Sequence, residues 1–399
     1  MEDHTLLTFI ALAEGELSGR KVTVVPITDF LTLCEGALQS SGTETLLLPE
    51  SDPPGACDPV DLFLRRLRIH PGYRPRTFLK AVPEAIRDGA SPSPAREGNR
   101  DLPFESIAVR PFEYPGARFF LVEPGEQVTA LDVLATASDE PDYGMDLDLF
   151  DESGTEWGRA YGFGSQPFGN PEHPFSSQAP FHMAFYHESP LLYRLAPGLR
   201  RTFLEYRIRQ FSFLAGLAHQ QGCAYWGYRF TGWALHYLQD VTMPYHASAL
   251  PRRRTATVML RGLLRAIGLA SPYRRMIRDV TRRHVLLESL LLERLLAACG
   301  GGDPWNDPLV QAVCGQPEAS RSRAPREIAR VAAGLAPAAD RALQEQEQER
   351  LGERRRGAPR HATSRRAPSM TPPLLAVCRA MLREFGRVTR EFVAPLSRW

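Results

Sequence analysis

The segment WALHYLQDVTMPYHAS, residues 233–248, sets His236 and Asp240 four residues apart, so on a helix the imidazole and the carboxylate leave from one face. One metal ion can take both. Pro244 stops that helix two residues after Thr242, which lets the chain turn back and present His246 close to the first pair. Downstream, RRHVLLESL repeats the four-residue spacing with His284 and Glu288. Imidazole with carboxylate suits zinc when coordination positions stay open for water and substrate. Two such ions about 3.5 to 4 Å apart clamp the attacking and leaving oxygens of a phosphoryl centre, so the chemistry indicated is phosphoester hydrolysis. A lone His and carboxylate at this spacing is more commonly a hydrogen-bonded or solvated pair. It is the full string from His236 to His246, with its proline, that points to a metal.

The string HYLQDVTMPYH matches the pattern H-Y-x-x-D-x-x-x-P-x-H and resembles the signature of bacterial zinc-dependent phospholipases C. Their superfamily includes fungal and plant zinc nucleases that cut single-stranded nucleic acid. The resemblance covers about 224–250, reaches 284–288 and is patchy elsewhere. It implies an all-α, multi-helix fold, two to three zinc ions and phosphodiester chemistry. By this resemblance His236 and Asp240 hold the first zinc, Asp240 bridges to a third, and His246, His284 and Glu288 hold the second. The family also places upstream an aspartate that is both ligand and candidate general base, then a histidine ligand among aromatics. ATASDEPD and APFHMAFYHES look similar, giving Asp139 and His182, with Asp142 and His187 as the alternatives. The family's third zinc takes the amine and carbonyl of an N-terminal tryptophan plus a nearby histidine. This chain begins with methionine, and His4 in HTLLTFIALAE is the matching histidine. The implied activity is that of a phospholipase C cleaving phospholipid headgroups, the tyrosine after His236 favouring that branch. The alternatives are a single-strand zinc nuclease and a zinc-stabilised interaction protein that has lost catalysis with the N-terminal ligand.

These residues need helices to carry them. Periodicity predicts helices over 4–16, 198–242, 256–268 and 274–298. Residues 1–19 and 131–300 read as the helical catalytic core, and 20–130 as an insertion of mixed structure. In that insertion KVTVVPI and RFFLVE read as strands, 28–39 and 60–69 as helices, and 89–103 as a linker. An acidic run and a Gly, Pro and aromatic stretch make 138–180 a long loop. The segment 301–372 reads as polar and partly disordered, and a final helix within 373–399 turns Leu374, Leu375, Val377, Met381, Phe385, Val388 and Phe392 one way to dock on the core.

Composition narrows little further. The net charge of +2 hides a strong skew, because Lys21 and Lys80 are the only lysines and arginine carries the rest. Arginine suits bidentate phosphate contacts, yet a GC-rich genome gives the same bias. Six cysteines without a C-x-x-C pair argue against a cysteine zinc site, while a disulfide between Cys299 and Cys314 across the Gly-rich turn stays open. The N-terminus MEDHTLLTFIALAEGE reads as neither signal peptide nor membrane span, and VLLESLLLERLLAAC is interrupted by Glu288, Glu293 and Arg294. The chain as written is thus expected in the cytoplasm with no transmembrane segment, although the family it resembles is usually secreted. In PRRRTATVMLRGLLRAIGL, Arg252, Arg253, Arg254, Arg261 and Arg265 form either a solvated helix face or, over 252–268, a membrane-surface contact that would attract anionic lipid or nucleic acid. Tyr225, Trp226, Tyr228, Phe230 and Trp233 read as core, or as a pocket wall able to receive a choline headgroup or stack a base.

Overall fold

The computed structural model describes residues 3–39, 58–87, 100–109, 116–170, 172–252, 255–266, 268–301, 303–315, 323–355 and 368–398. Met1, Cys57, Arg253, Arg254, most of the 89–103 linker and 356–367 lie outside the described residues. The described residues are mostly helical, with 64% helix against 4% strand, which is consistent with the all-α class. The first half carries α1 (His4–Leu12), β1 (Lys21–Thr23), α2 (Ile27–Gln39), α3 (Pro59–Arg66), β2 (Phe78–Lys80), β3 (Phe119–Leu121), β4 (Gln127–Thr129) and α4 (Ala130–Ala137). Then come α5 (Glu156–Ala160), α6 (Ala179–His182), α7 (Pro190–Leu195), α8 (Leu204–Gln220) and α9 (Ala224–Asp240). The remainder holds α10 (Pro244–Ala247), α11 (Thr255–Ala266), α12 (Ser271–Gly300), α13 (Pro308–Cys314), α14 (Pro325–Arg355) and α15 (Pro372–Val393).

Two compact units divide the chain. The N-terminal unit is built on His4–Phe181, Phe203–Leu238 and the chain from Thr389 onward. Every residue of α1 and of α4 is buried, and the two helices pack together, with the Thr8 and Ser138 hydroxyls 3.0 Å apart. Thr129 caps α4 by accepting from the Asp132 N–H. Helix α9 crosses α4 at Gly232, where an added Cβ would lie 2.5 Å from the Ala137 Cβ and 2.7 Å from the Leu134 carbonyl oxygen. Only glycine permits that approach. It brings the Ser138 carbonyl, at the end of α4, to 2.8 Å from His236 Nδ1 on α9.

Residues 20–130 carry both strands and helices and belong to the N-terminal unit. Their strands pair antiparallel as β1 with β4 and β2 with β3, and Phe30 of α2 and Phe63 of α3 meet Phe230 of α9 edge-on. Phe30 and Phe63 thus join the aromatic core of α9, while Phe78, Ile107 and Phe119 pack with Tyr143 in a second cluster. The acidic run after α4, expected as part of a long loop, is folded inward. Glu140 accepts two bonds of 2.8 Å from Arg229, and Asp146 accepts two from Arg207 at 2.9 and 2.6 Å. Arginines from α8 and α9 draw the run inward, and it folds as buried short turns.

The C-terminal unit is built on His182–Thr202 and Gln239–Val388. Helix α9 ends at Asp240, and Pro244 opens α10 rather than closing α9, its fixed φ suiting the first position of a helix. One face of α14 buries Ile328, Ala329, Ala332, Ala336, Ala339 and Leu343, and α10 lies against it. Within the polar segment expected over 301–372, Pro308–Cys314 and Pro325–Arg355 are helices, and the small alanines of the second let another helix come close. Asp340 on α14 accepts from Arg283 of α12 at 2.8 Å and from the Tyr245 hydroxyl of α10 at 3.2 Å. On α15, Leu374, Val377, Met381, Phe385 and Val388 are buried along one stripe. Cys34, Cys223, Cys299, Cys314 and Cys378 are free thiols, so the Cys299–Cys314 bridge is not formed. Among the described residues no helix is long and apolar enough to cross a membrane.

Gly232→Ala tests the close crossing. Helix propensity alone would favour alanine by about 1 kcal/mol, but overpacking against a backbone oxygen should reverse that and destabilise the protein by about 1–3 kcal/mol in denaturant titration. A variant as stable as the parent would contradict the crossing.

Candidate metal centre

In the C-terminal unit, α10 and α12 bring three donor atoms together. His246 sits in the single turn of α10, its carbonyl accepting from the Ala184 N–H at 2.8 Å. His284 and Glu288 stand one turn apart on α12. His246 Nε2 is 3.0 Å from His284 Nε2, His284 Nε2 is 3.1 Å from Glu288 Oε1, and His246 Nε2 is 3.6 Å from Glu288 Oε1. Ligands about 2.1 Å from a tetrahedral zinc stand about 3.4 Å apart, so this triangle has the edge lengths of a tetrahedral face. Two imidazoles and one carboxylate with a fourth position left over form a donor set that fits the metal.

The Asp240 carboxylate orients His246. Asp240 Oδ2 accepts from His182 Nδ1 at 2.8 Å, and Asp240 Oδ1 lies 3.1 Å from His246 Nδ1. A carboxylate at Nδ1 turns the Nε2 of the same ring outward, here toward His284 and Glu288. Burial works to lower the His246 pKa, but the charge and hydrogen bond of Asp240, with the hydrogen bond to Glu288, raise it above the usual imidazole value. Burial alone would raise the Glu288 carboxyl. Nearby positive charge and hydrogen bonds from His284 and His246 instead hold it well below the usual carboxylate range. The Tyr245 ring stacks on His284 at 5.5 Å and 16°, while Tyr245 and Arg283 both reach Asp340. The ligand-bearing segments are thereby tied to α14.

In the N-terminal unit, His4, Asp142 and His236 offer ligand atoms that all lie within 4.8 Å of one another. His236 Nδ1 donates to the Ser138 carbonyl, and its Nε2 faces Asp142 Oδ1 at 3.6 Å. The His4 ring lies 4.2 Å from the His236 ring, centroid to centroid. Asp139 is placed differently. Its Oδ1 accepts from the His4 backbone N–H at 3.0 Å, and its Oδ2 accepts from Lys80 Nζ at 2.5 Å and Tyr143 at 3.1 Å. Burial pushes its carboxyl upward, yet Lys80 and the neighbouring His4 and His236 bring it below the ordinary 3.8. Of the two aspartates that the sequence leaves open, Asp142 is the one in the donor group, and Asp139 fixes the backbone beside it.

The other expectations sort similarly. His182 meets Asp240, whereas exposed His187 donates to the Arg326 carbonyl at 2.7 Å. Asp240 follows His236 by four residues on the continuous α9, as the spacing requires. Tyr225, Trp226, Tyr228, Phe230 and Trp233 are all buried as core. Lys80, the Ser138 carbonyl, Tyr245 and Asp340 escape sequence reasoning. Only Lys80 leaves a signal, as a lysine within an apolar strand of a chain nearly devoid of lysine. No family model, curated protein or solved structure matches the chain.

Paired variants separate the two aspartates. Asp142→Ala should lower metal content and leave the unfolding midpoint nearly unchanged. Asp139→Ala strands buried Lys80 and should cost about 3–5 kcal/mol of stability. Metal loss in Asp139→Ala at full stability would reverse the assignment.

Proposed function

We propose that the chain is a zinc-dependent phosphodiester hydrolase of the phospholipase C type. The observation that carries this reading is the triangle of His246, His284 and Glu288, with Asp240 behind His246. Zinc, when bound, supplies Lewis acidity toward phosphoryl oxygens and makes water a nucleophile near neutral pH. The chain's residues do the rest. His246 and His284 present Nε2 to the metal, and Glu288 and Asp240 add the negative charge that balances it. His236, His4 and Asp142 form the second donor group, with His182 held by Asp240. Asp139, already bound by Lys80 and acidic for a carboxyl, makes a poor proton acceptor. The general-base role therefore passes to Asp142, which is partly open to solvent. Phospholipid is the proposed substrate, and single-stranded nucleic acid is the alternative on the same chemistry.

The test combines zinc content with turnover of a chromogenic phosphocholine diester and of single-stranded DNA. More than one zinc per chain and turnover of the diester are expected. Removing zinc with a chelator should abolish turnover, and His284→Ala and Glu288→Gln should each lower both zinc content and turnover, the latter by on the order of 10²–10⁴. Zinc binding without turnover of either substrate would sink the enzyme reading in favour of a zinc-stabilised interaction protein.

A further inference from the structure

Between Val241 and Arg278 the chain carries eight arginines and no aspartate or glutamate, in a protein whose overall charge is only +2. This stretch joins His246 to His284, the two halves of the donor triangle. Within the C-terminal unit its helix α11 packs against α7 through a small core of Leu192, Val258 and Met276. Both helices also turn leucines to solvent. Leu191 and Leu195 on α7 are 38% and 46% exposed, Leu260 and Leu263 on α11 are 58% and 63%, and Leu269 after it is 57%. The spacings of four and three residues give each pair a common face.

Scattered exposed leucines need no explanation, but leucines on two packed helices with exposed Arg194, Arg200, Arg201, Arg274 and Arg275 nearby in sequence form a distinctive composition. Helices that lie in a bilayer interface carry this pairing of aliphatic face and cationic flank. Anionic headgroups draw the arginines, and the acyl boundary takes the leucines. Single-stranded nucleic acid would answer the arginines alone. Binders of that class offer exposed aromatic rings for base stacking; α11 has no aromatic residue, and the Tyr193 ring of α7 is half-buried and covered by Arg200.

We propose that α7 and α11 dock the C-terminal unit on an anionic phospholipid bilayer, setting the segment that joins two metal ligands against the lipid surface. The docking stands on the leucines and arginines, while its link to catalysis rests on the hydrolase reading above. The experiment is co-sedimentation of the full chain with phosphatidylcholine vesicles made with and without phosphatidylglycerol, free single-stranded DNA serving as the competing ligand. Binding should require phosphatidylglycerol and weaken as salt rises. Leu260→Ser with Leu263→Ser should weaken it by about tenfold or more, as should Arg274→Glu with Arg275→Glu, helicity and zinc content being unchanged. His284→Ala should still bind vesicles, so failure of docking and failure of hydrolysis are read separately. Parental binding by the leucine variant, equal binding to both vesicle types, or binding to DNA alone would overturn the proposal.

Discussion

An imidazole has two nitrogens, and the oxygen that takes one of them decides where the other points. In the N-terminal unit the Ser138 carbonyl holds His236 at Nδ1, and that contact exists because Gly232 lets α9 lie directly on α4. In the C-terminal unit the Asp240 carboxylate stands against the Nδ1 atoms of both His182 and His246. Metal-binding capacity in either unit depends on these oxygens, because an unrestrained imidazole would lose rotamer entropy on meeting a cation. The helices matter chiefly as the means of fixing them.

The carboxylates of the core and of the donor groups fall into two sets by partner. Asp139 faces Lys80, Glu140 faces Arg229, Asp146 faces Arg207, and Asp340 faces Arg283. Those pairs carry permanent positive charge and serve the scaffold, where loss of one member strands the other in a poor solvent for ions. Asp142, Asp240 and Glu288 face imidazoles instead. An imidazole can be neutral, so these carboxylates retain negative charge that a divalent cation can use.

The spacing of His284 and Glu288, and the placement of His246 past a proline, were legible in the sequence because helix geometry alone fixes which side chains share a face. The role of Pro244 was readable only in part. A proline that ends one helix and a proline that begins the next look alike without the intervening turn. Choosing between Asp139 and Asp142 required the partner, and the partner, Lys80, lies in a strand nearly sixty positions upstream. Helix α14 was obscured by its alanines, which bury well against a close neighbour but score as weakly apolar. The acidic run after α4 read as solvated because nothing local announces the arginines of α8 and α9 that neutralise it.

We propose that histidine and carboxylate donors hold zinc in this chain. X-ray absorption at the zinc edge of the reconstituted chain tests this assignment. Nitrogen and oxygen neighbours at about 2.0–2.1 Å, with the multiple scattering of imidazole rings, are expected. A shell containing sulfur at about 2.3 Å, or a protein that retains no zinc, would contradict it.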